Sequence, residues 1–142
     1  MEIAAFIREQ FAIEPVDLRT YSPLTLAYIG DGVFDLVIRT VVVERGNTKA
    51  SRLHNQTSQI VRAGTQAKMI ELLEPYLTAE EKEIYRRGRN AKSPTMAKNA
   101  SMSDYRSATG FEALIGFLYL KDDFARVVEL TKKALEELEM DR

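Results

Sequence analysis

Apolar residues recur at intervals of three and four along nearly the whole chain, the spacing of one face of an α-helix. Residues 3–11 predict a short first helix. Ser22-Pro23 then supplies a start signal, with serine as N-cap and proline in the first turn, where its missing N–H costs nothing. The segment that follows, to about residue 44, is rich in Val and Ile and has strand-like stretches. Its polar residues decide for a helix: Asp31, Asp35 and Arg39 are four apart and make one polar stripe on an otherwise apolar cylinder. Such a helix is expected to be central and buried on most sides, with Asp35 paired to Arg39.

Gly46-Asn47 ends that helix, and Thr48 is placed to cap the next. Residues 49–73 continue as helix with a break near Gly64, and Pro75 falls in the turn beyond. Thr78-Ala79-Glu80-Glu81 is a capping box, and the helix it starts runs into Arg86-Arg87-Gly88. Residues 88–103 contain Gly, Asn, Ser and Pro and predict a loop. A helix over about 103–120 follows. Asp122 is placed to cap the last one, where Phe124, Val127, Val128, Leu130, Leu135 and Leu138 supply the apolar positions. The expected architecture is all-α, six or seven helices in a single domain over residues 1–142.

Composition narrows the chemistry. The 142 residues suit one domain, and a hydrophobic content of 45% is ordinary for a packed core. The absence of cysteine excludes disulfides, zinc-thiolate sites and thiol nucleophiles. The single histidine, His54, excludes a multi-histidine zinc site and reads as an ordinary polar helix residue. A metal would therefore need oxygen ligands, which favours Mg2+, with Mn2+ as a substitute. No segment has the length of a membrane span, and the first residues lack the basic start and apolar run of a signal peptide. The expectation is a soluble, cytoplasmic protein. A net charge of −1 argues against a polyanionic partner, but the average conceals a cluster. Residues 86–98 hold Arg86, Arg87, Arg89, Lys92 and Lys98 and no acid, a candidate surface for RNA phosphates; a solvated charged loop is the plainer alternative.

Two acids are placed unusually. Asp31 lies within Leu26-Ala27-Tyr28-Ile29-Gly30-Asp31-Gly32-Val33-Phe34, and Glu112 within an apolar run from Phe111 to Leu120. A buried charge is costly unless it is neutralised, paired or bound to a metal. Gly30 and Gly32 flank Asp31, and Ala108, Thr109 and Gly116 share a face with Glu112, so both segments have room for a second helix. If the two helices pack, the carboxylates could meet at one divalent cation that keeps positions for water and a phosphate oxygen. Spacing alone leaves structural roles open: Asp31 as a cap or an arginine partner, Glu112 pointing to solvent.

At these residues the chain resembles the catalytic domain of ribonuclease III. The family pattern Leu-Glu-Phe-Leu-Gly-Asp-Ala-Val stands here as Leu26-Ala27-Tyr28-Ile29-Gly30-Asp31-Gly32-Val33. A second pattern stands as Glu112-Ala113-Leu114-Ile115-Gly116, followed by Tyr119-Leu120. The segment Arg87-Gly88-Arg89-Asn90-Ala91-Lys92 is similar to the short bacterial branch of the family, the Mini-ribonucleases III, which lack a double-stranded-RNA-binding domain. The resemblance implies a Mg2+-dependent endoribonuclease that works as a homodimer on double-stranded RNA. Its expected substrate is the large-subunit ribosomal RNA precursor, and a ribosomal protein or pre-ribosomal particle is a possible further partner. Asp31 and Glu112 are then the catalytic, metal-binding acids. Where other members carry acids four and seven residues before the first and three before the second, this chain has Ala27, Leu24 and Thr109. That thinner complement keeps two rivals in view: a noncatalytic RNA-binding assembly factor on the same fold, and a helical protein–protein adaptor.

Overall fold

A computed structural model describes residues 2–92 and 101–141. Its helix starts follow local chemistry. The Ser22 hydroxyl accepts a hydrogen bond from the Thr25 N–H at 3.1 Å, and Pro23 opens α2 (Pro23–Glu44). Thr78 and Glu81 form the reciprocal bonds of a capping box, at 3.1 and 2.8 Å, and open α5 (Ala79–Asn90). These starts depend on a few adjacent residues, and they stand where the sequence predicts them. The remaining helices are α1 (Ile3–Gln10), α3 (Ala50–Val61), α4 (Ala63–Leu73), α6 (Met102–Leu120) and α7 (Phe124–Glu137). Pro75 lies in a single 3-10 turn, Glu74–Tyr76. No strand occurs among the described residues, so the all-α expectation holds.

The central element is α6, not α2. From Ala108 to Leu118 every α6 residue except Glu112 is buried, and the helix is packed by α1, α2, α4, α5 and α7. A helix wrapped on all sides cannot be amphipathic, which is why its pattern reads as an unbroken apolar run. By contrast α2 buries one face, with Leu26, Val33, Phe34, Val37, Ile38 and Val42 against the core. Its other face leaves Tyr28, Leu36 and Val43 exposed. The Asp35–Arg39 pair forms as expected, at 2.6 Å.

The crossing of α2 over α6 is unusually close. A Cβ at Gly30 would lie 1.7 Å from the Glu112 carbonyl oxygen, and one at Gly116 would lie 2.0 Å from the Leu26 carbonyl oxygen. One glycine from each helix therefore lets the two backbones touch. Next to this contact Phe34 meets Phe111 edge-on, with centroids 5.2 Å apart. Gly32 has nothing within 4 Å, so the room expected on that side is open space rather than helix packing.

Several boundaries differ from expectation. Lys49, not Thr48, precedes α3, and it makes no side-chain cap bond. The break in the 49–73 segment falls at Arg62, whose extended backbone (ψ 154°) separates α3 from α4. Asp123, not Asp122, caps α7 by accepting from the Arg126 N–H at 3.2 Å. Asp122 turns through a positive φ of 65° and gives its carboxylate to Arg8 at 2.6 Å. Val128 is exposed rather than in the core. The predicted loop over 88–103 is shorter at both ends, because α5 continues to Asn90 and α6 begins at Met102. Gly88 is the reason at the first end: a Cβ there would lie 2.8 Å from the Ala113 Cβ, so this glycine is a packing contact inside a helix, not a breaker.

Candidate active site

Gly30 touches the backbone of Glu112, and Asp31 is the next residue along α2. The close crossing therefore delivers both acids to one place. Asp31 is exposed, contrary to the buried position expected of it, because it lies on the uncovered side of α2. Glu112 is half-buried between α2 and α4. Burial above all, and then the Asp31 charge, push the Glu112 carboxyl up from 4.5 to about 8, against the pull of a hydrogen bond from Gln66.

This pair has a consequence for stability that can be measured. Below about pH 4.5 the Glu112 carboxyl is protonated whether or not the chain is folded, so the site then costs nothing. As pH rises toward about 8, the unfolded chain gives up the proton while the folded chain keeps it. Metal-free protein should therefore lose stability across that window, by at most about 5 kcal/mol. In chelator, the melting temperature should fall from about pH 5 to pH 8, and Glu112→Gln should flatten the profile. An equal slope in both proteins would contradict the assigned environment of Glu112.

Gln66 is a site residue that the sequence reading missed. It is 2% exposed on α4, and its Nε2 donates to the Val61 carbonyl at 2.7 Å and to Glu112 Oε2 at 3.3 Å. Its Oε1 is buried with no partner. A signal was present, because Gln66 stands three, four and seven residues before Met69, Ile70 and Leu73, on the face α4 buries. Beside it a cleft of about 980 Å³ runs between α3–α4 and the first half of α6. Gln66 and Glu112 line it with Arg62, Lys68, Glu71 and Asp104.

The donor set suits a small hard cation. Two carboxylates close enough to repel each other are a charge arrangement that a small hard divalent cation would relieve. Among the described residues no cluster of three or more side chains that could hold a metal ion occurs. The positions that carry further acids in the resemblance do not add to the pair. Ala27 is buried in the core, and the Thr109 hydroxyl donates to the Tyr105 carbonyl of its own helix at 3.0 Å.

The comparison with known proteins bears on this geometry directly. The family model of the ribonuclease III domain matches residues 24–123, a span that includes both acids and the helices that bring them together. The chain belongs to the ribonuclease III family. Similar proteins include Mini-ribonuclease 3 of Clostridium tetani, 45% identical over 128 residues, covering 89% of this chain and 83% of that protein. Mini-ribonuclease 3 of Streptococcus pneumoniae is 38% identical over 126 residues, covering 87% and 98%. A crystal structure of a Fusobacterium nucleatum protein superposes with a TM-score of 0.78 at 27% identity, covering 85% of this chain and 98% of the other.

In this ribonuclease III-family chain the basic cluster is partly helical. Arg86 is tied to Glu83 at 2.6 Å, so its charge is already engaged. Arg87 and Arg89 are half-buried on α5 and Lys92 is exposed beyond its end, and none of the three makes an ion pair among the described residues. Gly88, between the two arginines, packs on the α6 stretch from Thr109 to Ala113 that includes Glu112. Lys98 lies outside the described residues.

Proposed function

We propose that this ribonuclease III-family endoribonuclease hydrolyses double-stranded RNA with Mg2+, for which Mn2+ can substitute, held by Asp31 and Glu112. The observation that carries the reading is the glycine-mediated contact of α2 with α6, which puts the two motif acids side by side. Members of the family are in general dependent on a divalent metal. When bound, the ion would supply an activated water and offset the charge that builds on the phosphate. The chain's own residues do the rest. Asp31, exposed, faces the substrate side, while Glu112 is held from behind by the Gln66 amide. Arg87, Arg89 and Lys92 take phosphates of the strand, giving affinity without reading bases, which is how duplex RNA is mostly recognised.

The same reading has the protein act as a homodimer. Tyr28, Leu36 and Val43 are exposed apolar residues of α2, and a two-fold axis along that helix would set two equivalent sites across one duplex, one per strand. The substrate is the large-subunit ribosomal RNA precursor, the 142 residues act as one catalytic domain, and the compartment is the cytoplasm. No helix among the described residues is long and apolar enough to cross a membrane.

The substrate half of the proposal can be tested on binding alone. Replacing Arg87 and Arg89 together by alanine should weaken duplex binding uniformly across sequences. The plot of log affinity against log salt should become shallower by roughly 1 to 2, as two phosphate contacts are lost. An unchanged slope would remove these arginines from the RNA surface.

A further inference from the structure

We infer that Gln66 is the positioning residue of the acidic pair: it sets the orientation of the Glu112 carboxylate by tethering it to the backbone at the α3–α4 break. The inference rests on reading Asp31 and Glu112 as metal ligands, and it goes beyond that reading by assigning a residue from a third helix.

Three observations carry it. First, the orientation of the amide is determined. The Val61 carbonyl lies 2.7 Å from one end of the Gln66 amide, so that end must be the NH2 group, because two carbonyl oxygens would repel there. The same NH2 group then offers its second hydrogen to Glu112 Oε2 at 3.3 Å. One nitrogen thus joins a backbone point that cannot move freely to a carboxylate oxygen of the site. Second, the backbone point is well held. The Arg62 backbone N–H bonds the Ser58 carbonyl at 3.2 Å, its guanidinium donates to the Thr65 hydroxyl at 3.1 Å, and that hydroxyl donates to the Gln59 carbonyl at 2.7 Å. The break between α3 and α4 is stapled by its own side chains, so the tether has a fixed origin. Third, packing does not explain a glutamine here. The position is 2% exposed on the apolar face of α4, where Leu or Met would fill the space without a polar atom. Glutamine leaves its Oε1 buried and unpartnered, and a buried unsatisfied acceptor is a cost to folding. A residue kept at such a cost beside a metal-ligating carboxylate fits the hydrogen-bonded supports that orient such ligands in general.

The arrangement also accounts for how a site with few acids holds its geometry. With Ala27 in the core and the Thr109 hydroxyl turned to its own helix, neither neighbour along α2 or α6 restrains Glu112. The restraint comes across the cleft from α4.

The test is Gln66→Met, which keeps the length and the packing and removes the amide. The RNA-free protein is titrated with Mn2+ alone, and the rise in melting temperature gives the apparent affinity. Gln66→Met should melt close to the wild type without metal and should need roughly tenfold to a hundredfold more Mn2+ for the same rise. On a bare RNA duplex, half-maximal cleavage should require correspondingly more metal, with KM for the duplex unchanged at saturating metal. A purely structural role predicts the reverse, a lower metal-free melting temperature with the same Mn2+ response, and that result would overturn the inference. If Gln66→Met fails to fold, Gln66→Asn carries the same test, because an amide one methylene shorter cannot span Val61 and Glu112; a wild-type Mn2+ response in Gln66→Asn overturns the inference equally. Failure of the underlying reading looks different: the wild type itself would show no Mn2+ response, and Asp31→Asn would keep cleaving.

Discussion

Gly30→Ala is expected to cost the protein a large part of its stability, and its activity with it. The added Cβ would lie 1.7 Å from the Glu112 carbonyl oxygen and within 3 Å of two further α6 backbone atoms. A flexible side chain could swing away from such a clash, but a helix backbone cannot. The helices must separate, and the separation opens the core where Phe34 and Phe111 meet. Overpacking of this kind costs about 3 kcal/mol or more, a large part of the roughly 5–15 kcal/mol that holds a domain together. For a chain of 142 residues that is a fall in melting temperature of roughly 10 °C or more. Gly116→Ala meets the Leu26 carbonyl oxygen at 2.0 Å and should behave alike. Gly32→Ala is the control. It meets nothing within 4 Å and trades a poor helix former for the best one, so its melting temperature should hold or rise. Equal melting of Gly30→Ala and Gly32→Ala would show that the crossing is looser than described.

Asp31→Asn is expected to lower duplex cleavage by roughly a thousandfold or more while leaving the fold intact. The side chain is exposed, so the exchange leaves no cavity and no buried polar group. What it removes is one of the two charges at the site, and no third acid among the described residues is placed to replace it. A neutral amide oxygen is a weaker partner for a hard cation, and roughly 4 kcal/mol of lost transition-state stabilisation corresponds to that thousandfold loss. Circular dichroism should match the wild type, and melting should be no lower. Cleavage within tenfold of the wild type would mean that Asp31 does not act at the reacting phosphate.

Much of the site was legible in the chain, because its essential parts are local. Glycine beside aspartate in one helix and glycine four residues after glutamate in another announce a close crossing with acids at it, and Gly30 and Gly116 are its contact points. Helix starts were legible for the same reason: Ser22 and Thr78 act on backbone groups three residues away. What was not legible depends on which faces other helices cover. Asp31 looked buried among apolar neighbours, yet α2 has an open side and Asp31 lies on it. Gly88 looked like a helix breaker until its neighbour on α6 was known. Gln66 carried a signal, a polar residue on a buried stripe, but its meaning depends on Glu112, 46 residues away. The single-residue error at Asp122 and Asp123 has a simpler cause, two adjacent acids of equal capping ability, of which only the second lies one residue before the helix.

The most direct test of the central claim is the cleavage of a bare RNA duplex by purified wild-type and Asp31→Asn proteins across a Mg2+ titration, with duplex binding recorded in parallel. The wild type should not cleave in chelator, and cleavage of both strands should rise with Mg2+. Asp31→Asn should bind the duplex and leave it whole. Full cleavage by Asp31→Asn, or binding without cleavage by the wild type at every concentration of Mg2+ and Mn2+, would contradict it.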